Sequence, residues 1–60
     1  MMKCIRGYFL TINKFVTEEY EVLFIYPYQN LWPEIKAHIG CDVFIQIDNN
    51  NFVKDCVFVL

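Results

Sequence analysis

Positive charge is scarce in this chain of 60 residues. Five lysines and arginines stand against seven aspartates and glutamates, which gives a formal net charge of −2. The cations are spread singly along the sequence, at Lys3, Arg6, Lys14, Lys36 and Lys54. Proteins that bind nucleic acid usually cluster such residues on one face, and membrane-surface helices collect them on their polar side. The charge pattern therefore disfavours nucleic acid and membranes as partners.

Long apolar runs and targeting signals are also missing. The longest stretch without a formal charge, residues 22–33, contains both prolines and is too short to cross a bilayer. No apolar segment with a small-residue cleavage site follows the first cations, as a secretory signal would require. Three cysteines without a short pairing motif are typical of a reducing compartment. We expect a cytoplasmic protein with reduced cysteines.

Groups that commonly carry catalysis or hold metals are few. The chain has one histidine and no Cys-x-x-Cys pair, so a zinc site would need His38 and all three cysteines, including Cys4. Cys41 and Cys56 fall on a face that we expect to be core, where free cysteine behaves as a small hydrophobe. A Cys–His nucleophilic pair would need an orienting acid, and two glycines provide no phosphate-binding loop. The sequence predicts a protein that is not an enzyme, with no catalytic residue, metal or cofactor.

Apolar and aromatic residues, by contrast, are abundant. Of the chain, 57% is hydrophobic and 18% aromatic, which excludes intrinsic disorder. The length allows a single domain over residues 1–60. The free energy of burying apolar surface, about 95 kcal/mol, nearly equals the cost of ordering the chain, about 90 kcal/mol. A lone monomer is therefore expected to be marginally stable.

Two segments before the first proline predict strands. Residues 3–12 form the first, and a turn begins at Asn13. Residues 19–26 form the second, whose centre is apolar on both faces and favours a place inside a covered sheet. Pro27 ends this strand, because proline donates no backbone hydrogen bond.

A short helix is predicted next. Asn30 is a suitable N-cap, Pro33 is tolerated in the first turn, and Gly40 is a suitable stop. An alternative start has Trp32 as the cap. The apolar stripe that would face the core consists of Leu31, Ile35 and Ile39.

The C-terminal residues predict a hairpin of strands 41–47 and 52–60. A two-residue turn at Asn49–Asn50 is favoured; it pairs Val43 with Cys56 and predicts a positive φ at one of the two asparagines. A three-residue loop would instead turn the other side of the last strand to the core, a face made of Val53, Val57 and Val59.

The fold class predicted is α+β: a small β-β-α-β-β module with a mostly antiparallel four-stranded sheet and one short helix. A nine-residue helix is about 14 Å long and the strands about 30 Å, so the helix cannot cover the sheet. We expect self-association, most simply as a homodimer, with an oligomer interface at Val57, Val59 and Leu60. The alternative is a monomer whose loops fold over the sheet.

The stretch between the two prolines is the best candidate for partner binding. Two prolines stiffen it and Tyr26, Tyr28 and Trp32 decorate it, so it would lose little entropy on docking. Glu19 and Glu21 are expected nearby, to steer a basic surface. Trp32 either joins this site or closes the core beneath the helix.

These features predict a small non-enzymatic protein that self-associates and binds a larger protein, as an inhibitor or adaptor. Phage and mobile-element proteins that block host factors have such sizes. The alternative is a regulatory or nucleic-acid-associated module that acts as an oligomer.

Overall fold

A computed structural model describes residues 1–59, so the predicted interface residue Leu60 lies outside the described part. Six strands, one 3₁₀ turn and one helix follow in the order β1 (Lys3–Thr11), β2 (Lys14–Thr17), β3 (Val22–Phe24), β4 (Tyr26–Pro27), the 3₁₀ turn (Gln29–Leu31), α1 (Trp32–Ala37), β5 (Val43–Ile47) and β6 (Phe52–Phe58). The α+β class with one short helix is confirmed. The predicted number of four strands is wrong. No described helix is long and apolar enough to span a membrane.

The two edge strands of the sheet are consecutive in the chain. The strand order is β3-β2-β1-β5-β6-β4, and all neighbours are antiparallel except β4 and β6, which are parallel. The edge strands β3 and β4 are separated in sequence by Ile25 alone, so the sheet curls into a small barrel, in which no ladder joins these two described strands. Ile25 is fully buried, and its N–H donates to the Asn13 carbonyl at 3.0 Å.

The strand predicted over residues 19–26 is correct only in part: Val22–Phe24 form β3 and Tyr26 begins β4, and both are edge strands rather than the inner strand expected. The turn predicted to begin at Asn13–Lys14 is short, because β2 already begins at Lys14, and the chain then reverses again in a tight turn at Tyr20. Tyr20 has a φ of 65°, and its N–H donates to the Thr17 carbonyl at 2.9 Å. The Thr17 hydroxyl also accepts from the Glu21 N–H at 3.2 Å. The four residues of β2 by themselves give only a weak strand signal, and they form a strand because they pair with β1.

Side chains from the strands and from the helix fill the core of the barrel. Phe9 and Phe15 meet edge to face, with ring centroids 5.2 Å apart, and Ile35 of the helix closes one end. At Gly7 a Cβ atom would overlap the Val16 carbonyl oxygen. The strands β1 and β2 therefore approach this closely only because residue 7 is glycine.

The helix is shorter than expected and begins differently. Its N-cap is Leu31, at the end of the 3₁₀ turn, rather than Asn30 or Trp32, and Pro33 lies in its first turn. Because α1 ends at Ala37, Ile39 is exposed while Ile35 is buried. Gly40 has a φ of 83°, the left-handed conformation expected of a helix stop.

The C-terminal hairpin follows neither predicted register throughout. Ile45 pairs with Cys56, but Ile47 pairs with Val53, which leaves Lys54 as the extra residue of a β-bulge. The bulge lets Val53 and Cys56 both face the core, although they lie three positions apart. The positive φ, 65°, occurs at Asn51 and not at the predicted asparagines.

Candidate functional site

Four exposed aromatic side chains lie together on the outside of the barrel. Buried Ile25 and Pro27 alternate with exposed residues along the extended chain, so the outward positions form one ridge. Tyr26 is paired with Phe52 across β4 and β6, and their ring centroids are 5.8 Å apart. We call this surface the aromatic row; it consists of Phe24, Tyr26, Tyr28 and Phe52. Phe24 is 60% exposed and Tyr28 43% exposed.

A lysine stands at each end of the aromatic row. The Lys14 ammonium is 5.9 Å from the centroid of the Phe24 ring, and the Lys54 ammonium is 5.7 Å from that of Tyr28. Lys54 also lies 4.0 Å from a carboxylate oxygen of Asp48. The neighbouring Tyr28 hydroxyl and, less strongly, Asp48 raise the pKa of Lys54, so this cation remains charged at neutral pH.

Two asparagines from separate turns hold the main chain of the row. The Asn13 side-chain amide donates to the Ile25 carbonyl, and the Asn51 side-chain amide donates to the Phe24 carbonyl, each at 3.1 Å. The Tyr26 N–H donates back to the Asn51 carbonyl at 2.9 Å. The row is therefore organised before any partner arrives. Sequence reasoning assigned these asparagines to turns and missed this second role, which only the closed barrel creates.

Trp32 is hydrogen-bonded to the main chain of the row. The side chain is half-buried, and its indole N–H donates to the Pro27 carbonyl at 3.0 Å. The Lys36 ammonium lies 5.7 Å from the ring centroid. Of the residues predicted for partner binding, Tyr26 and Tyr28 are therefore the two that the row presents to solvent.

The other predicted site residues lie elsewhere on the surface. Glu19 and Glu21 are exposed at the turn between β2 and β3, where they line a groove beside β1. Val57 and Val59, predicted at an oligomer interface, are exposed on the outer face of the barrel next to Phe44. The acids and the tyrosines thus belong to different surfaces.

The cysteines are all free and occupy different environments. Cys4 and Cys41 are exposed, so the predicted core position of Cys41 is wrong because β5 begins only at Val43. Cys56 is buried, and its thiol donates to a Glu34 carboxylate oxygen at 3.8 Å. Burial, together with the nearby Glu34 charge, raises the pKa of Cys56 to about 11. This thiol is protonated at neutral pH and is a poor nucleophile.

The histidine is held by packing. One ring nitrogen of His38 lies 2.8 Å from the Glu34 carbonyl oxygen, and the ring stacks on Phe58 with centroids 4.8 Å apart. Within residues 1–59, no group of three or more histidine, cysteine, aspartate or glutamate side chains is arranged to hold a metal ion.

Comparison with known proteins finds no family model that matches the sequence, no similar curated protein and no matching solved structure. Fold and surface together define a small α+β barrel with an organised row of exposed aromatic side chains.

Proposed function

We propose that this protein is a small non-enzymatic binding module that contacts a partner protein through the aromatic row, as an inhibitor or adaptor. The observation that carries the proposal is the row itself: four exposed rings on a main chain held by the amides of Asn13 and Asn51. Aromatic residues are enriched at the centres of protein interfaces and supply contact area at low entropic cost. Their prior organisation lowers the cost further.

The charge around the row supports a protein as the partner. The centre is apolar and aromatic, with Lys14 and Lys54 only at its ends, and Lys54 is shared with Asp48. The chain as a whole carries a net charge of −2. Depletion of charge at the centre with charged groups at the rim is the usual anatomy of a protein interface.

The test combines partner capture with paired substitutions on a purified complex. Tyr28→Ser and Phe24→Ser remove exposed rings, while Leu10→Ser removes a comparably exposed apolar side chain outside the row. Each row variant should weaken binding of the captured and purified partner about 30-fold, equivalent to ~2 kcal/mol, with an unchanged melting temperature. Binding that is lost equally in Leu10→Ser, or in none of the three, would overturn the proposal.

Single-stranded nucleic acid is a second candidate for the row. A lysine over an aromatic ring at each end is the observation that favours it, because aromatic stacking with cations binds single strands without sequence preference.

Salt dependence separates the two candidates. Contacts to phosphates release counterions, so binding of a fluorescent single-stranded oligonucleotide would weaken steeply between low and physiological salt. Docking of a protein on apolar rings would depend on salt far less. Strong oligonucleotide binding that is lost in Tyr28→Ser and Lys54→Ala would show that the row binds single-stranded nucleic acid rather than a protein.

A further inference from the structure

One half of strand β1 has an unpaired side. β2 pairs with β1 from Gly7 to Thr11 and ends at Thr17, opposite Gly7. Residues 3–6 pair with β5 on their other side. Within residues 1–59 no strand lies against the remaining side of residues 3–6. A strand edge of this kind is a template for pairing with another chain.

The main-chain groups that point to this edge can be identified. The Phe9 carbonyl accepts from the Gly40 N–H, in the segment that leads into β5, at 2.9 Å. Because the direction of main-chain groups alternates along a strand, odd-numbered residues of β1 point to β5. Cys4 and Arg6 therefore direct their N–H and carbonyl groups to the open edge, which offers two donors and two acceptors.

Two grooves border the same edge. One, of about 440 Å³, contains the outward side chains of Arg6 and Tyr8, together with Tyr20 from the β2–β3 turn. The other, of about 390 Å³, contains the half-buried side chains Ile5 and Leu23. Successive side chains of an added strand point to opposite faces, so they would enter the two grooves alternately.

The charges around the edge select the occupant. Glu18, Glu19 and Glu21 line the second groove together with two cations. One of these, Arg6, is already bound to Asp42 through its guanidinium, with Nε 3.0 Å from Oδ1. The edge is therefore acidic, which favours a basic segment and disfavours a second copy of this acidic chain.

We infer that the open edge of β1 at Cys4 and Arg6 binds an extended basic peptide segment of a partner protein, which adds to the sheet as a further strand. The backbone of that segment supplies the ladder hydrogen bonds and its alternate side chains enter the two grooves. Its lysines or arginines meet the three glutamates. This surface is separate from the aromatic row, so the two are tested independently.

The test uses a synthetic peptide of alternating lysine and valine, titrated into the isotope-labelled protein. Amide hydrogen exchange at Cys4 and Arg6 should slow at least about tenfold on saturation, because both amides enter a ladder. The double variant Glu19→Lys, Glu21→Lys should weaken binding about tenfold. Tyr28→Ser, on the aromatic row, should bind the peptide unchanged.

Two further peptides define the outcomes. The same peptide with an N-methyl group on every residue has no backbone N–H on either edge, so it cannot complete the ladder and should not bind, and a glutamate–valine peptide should bind at least about tenfold more weakly. Equal binding of all three peptides, or resonance shifts confined to the aromatic row, would overturn the inference. Protection of Cys4 and Arg6 that rises with protein concentration without peptide would assign the edge to a second copy instead.

Discussion

At the scale of single residues, two residues other than glycine have a left-handed backbone conformation. Tyr20 and Asn51 both have a φ of 65°. Tyr20, which is 83% exposed, lines the groove beside β1, and Asn51 holds the main chain of the aromatic row. The left-handed conformation costs about 1–2 kcal/mol for a non-glycine residue. Both are found beside candidate contact surfaces, where such conformations are often retained.

Substitution of Asn51 separates its backbone role from its side-chain role. Asn51→Gly keeps the left-handed conformation but removes the bond to the Phe24 carbonyl, and should lower the free energy of unfolding by about 1 kcal/mol. Asn51→Val adds conformational strain and should cost about 2–3 kcal/mol in total. Urea denaturation of both variants measures this. Equal stabilities for the two would contradict a left-handed residue 51.

Trp32 is expected to act on stability. Trp32→Phe removes the bond to the Pro27 carbonyl and should cost about 1 kcal/mol, while Trp32→Ala should cost about 3 kcal/mol because the ring is also half-buried. Tyr28→Ala, measured in the same denaturation experiment, should change the stability by less than about 0.5 kcal/mol. A Trp32→Ala variant as stable as the parent would show that Trp32 does not stabilise the fold, and would assign it to the contact surface.

The pairing of Arg6 with Asp42 predicts an acid-sensitive contribution to stability. Hydrogen bonds from the guanidinium lower the pKa of Asp42 below its usual value. This contribution is therefore present above the unfolded-state pKa near 3.9 and is lost as pH falls through the lower folded-state value. Asp42→Asn should flatten the pH dependence of the melting temperature below about pH 4.

The control for this pH experiment is Asp48. Its pKa is lowered mainly by the Phe52 N–H, with a further contribution from the Asn50 N–H, so it should retain its own acid-sensitive contribution in the Asp42→Asn variant. An unchanged acid profile in Asp42→Asn would show that the Arg6 contact is too exposed to affect folding.

At the scale of elements, close approach of strands depends on particular positions. β1 and β2 approach each other closely at Gly7, where an added Cβ would overlap the Val16 carbonyl oxygen, and β6 has a bulge at Lys54. The bulge bends β6 and lets Val53 and Cys56 share the core. Neither device depends on the hydrophobic pattern of a single strand.

Alanine substitution of the two glycines tests this geometry. Gly7→Ala should lower the free energy of unfolding by about 3 kcal/mol, because backbone atoms of β2 must move. Gly40→Ala meets no neighbouring atom and should cost only about 1 kcal/mol, for its φ of 83°. Chemical denaturation compares them. A smaller loss of unfolding free energy for Gly7→Ala than for Gly40→Ala would contradict the close approach of β1 and β2 at Gly7.

At the scale of the whole molecule, closure of the barrel leaves apolar side chains on the outside. Val57 is 61% exposed, and the Phe44 beside it on β5 and the nearby Val59 are also exposed. These side chains therefore provide an exposed apolar surface for the predicted self-association of this protein. An apolar centre with Arg6 and Asp42 at its rim suits a two-fold contact.

Val57→Glu is the corresponding test, since this exposed position accepts a charge without disturbing the barrel. Light scattering at increasing concentration should show an oligomer of the parent chain and a monomer of the variant, with melting that no longer depends on concentration. Lys54→Glu, also on β6 but outside this patch, is the matched control. A parent that remains a 7.2 kDa monomer at high concentration would rule self-association out.

The parts of this protein that depend on local chemistry could be predicted without its structure. The patterns over residues 3–12 and 41–47 predicted two strands, which the structure has as β1 (Lys3–Thr11) and β5 (Val43–Ile47), and Gly40 marked the end of the helical region. Tyr26 and Tyr28 were predicted to bind a partner from their place beside the prolines, and both side chains are exposed. Period-two patterning, proline and glycine act within a few residues, so they can be interpreted without a partner strand.

Features that depend on which strands meet could be recognised only in the folded protein. Closure of the sheet through Ile25 split one predicted strand into two edges and brought Phe52 beside Tyr26. It also directed Asn13 and Asn51 to the main chain of the row. These contacts join residues far apart in sequence, and their free energy arises only when the barrel closes, so no local pattern records them.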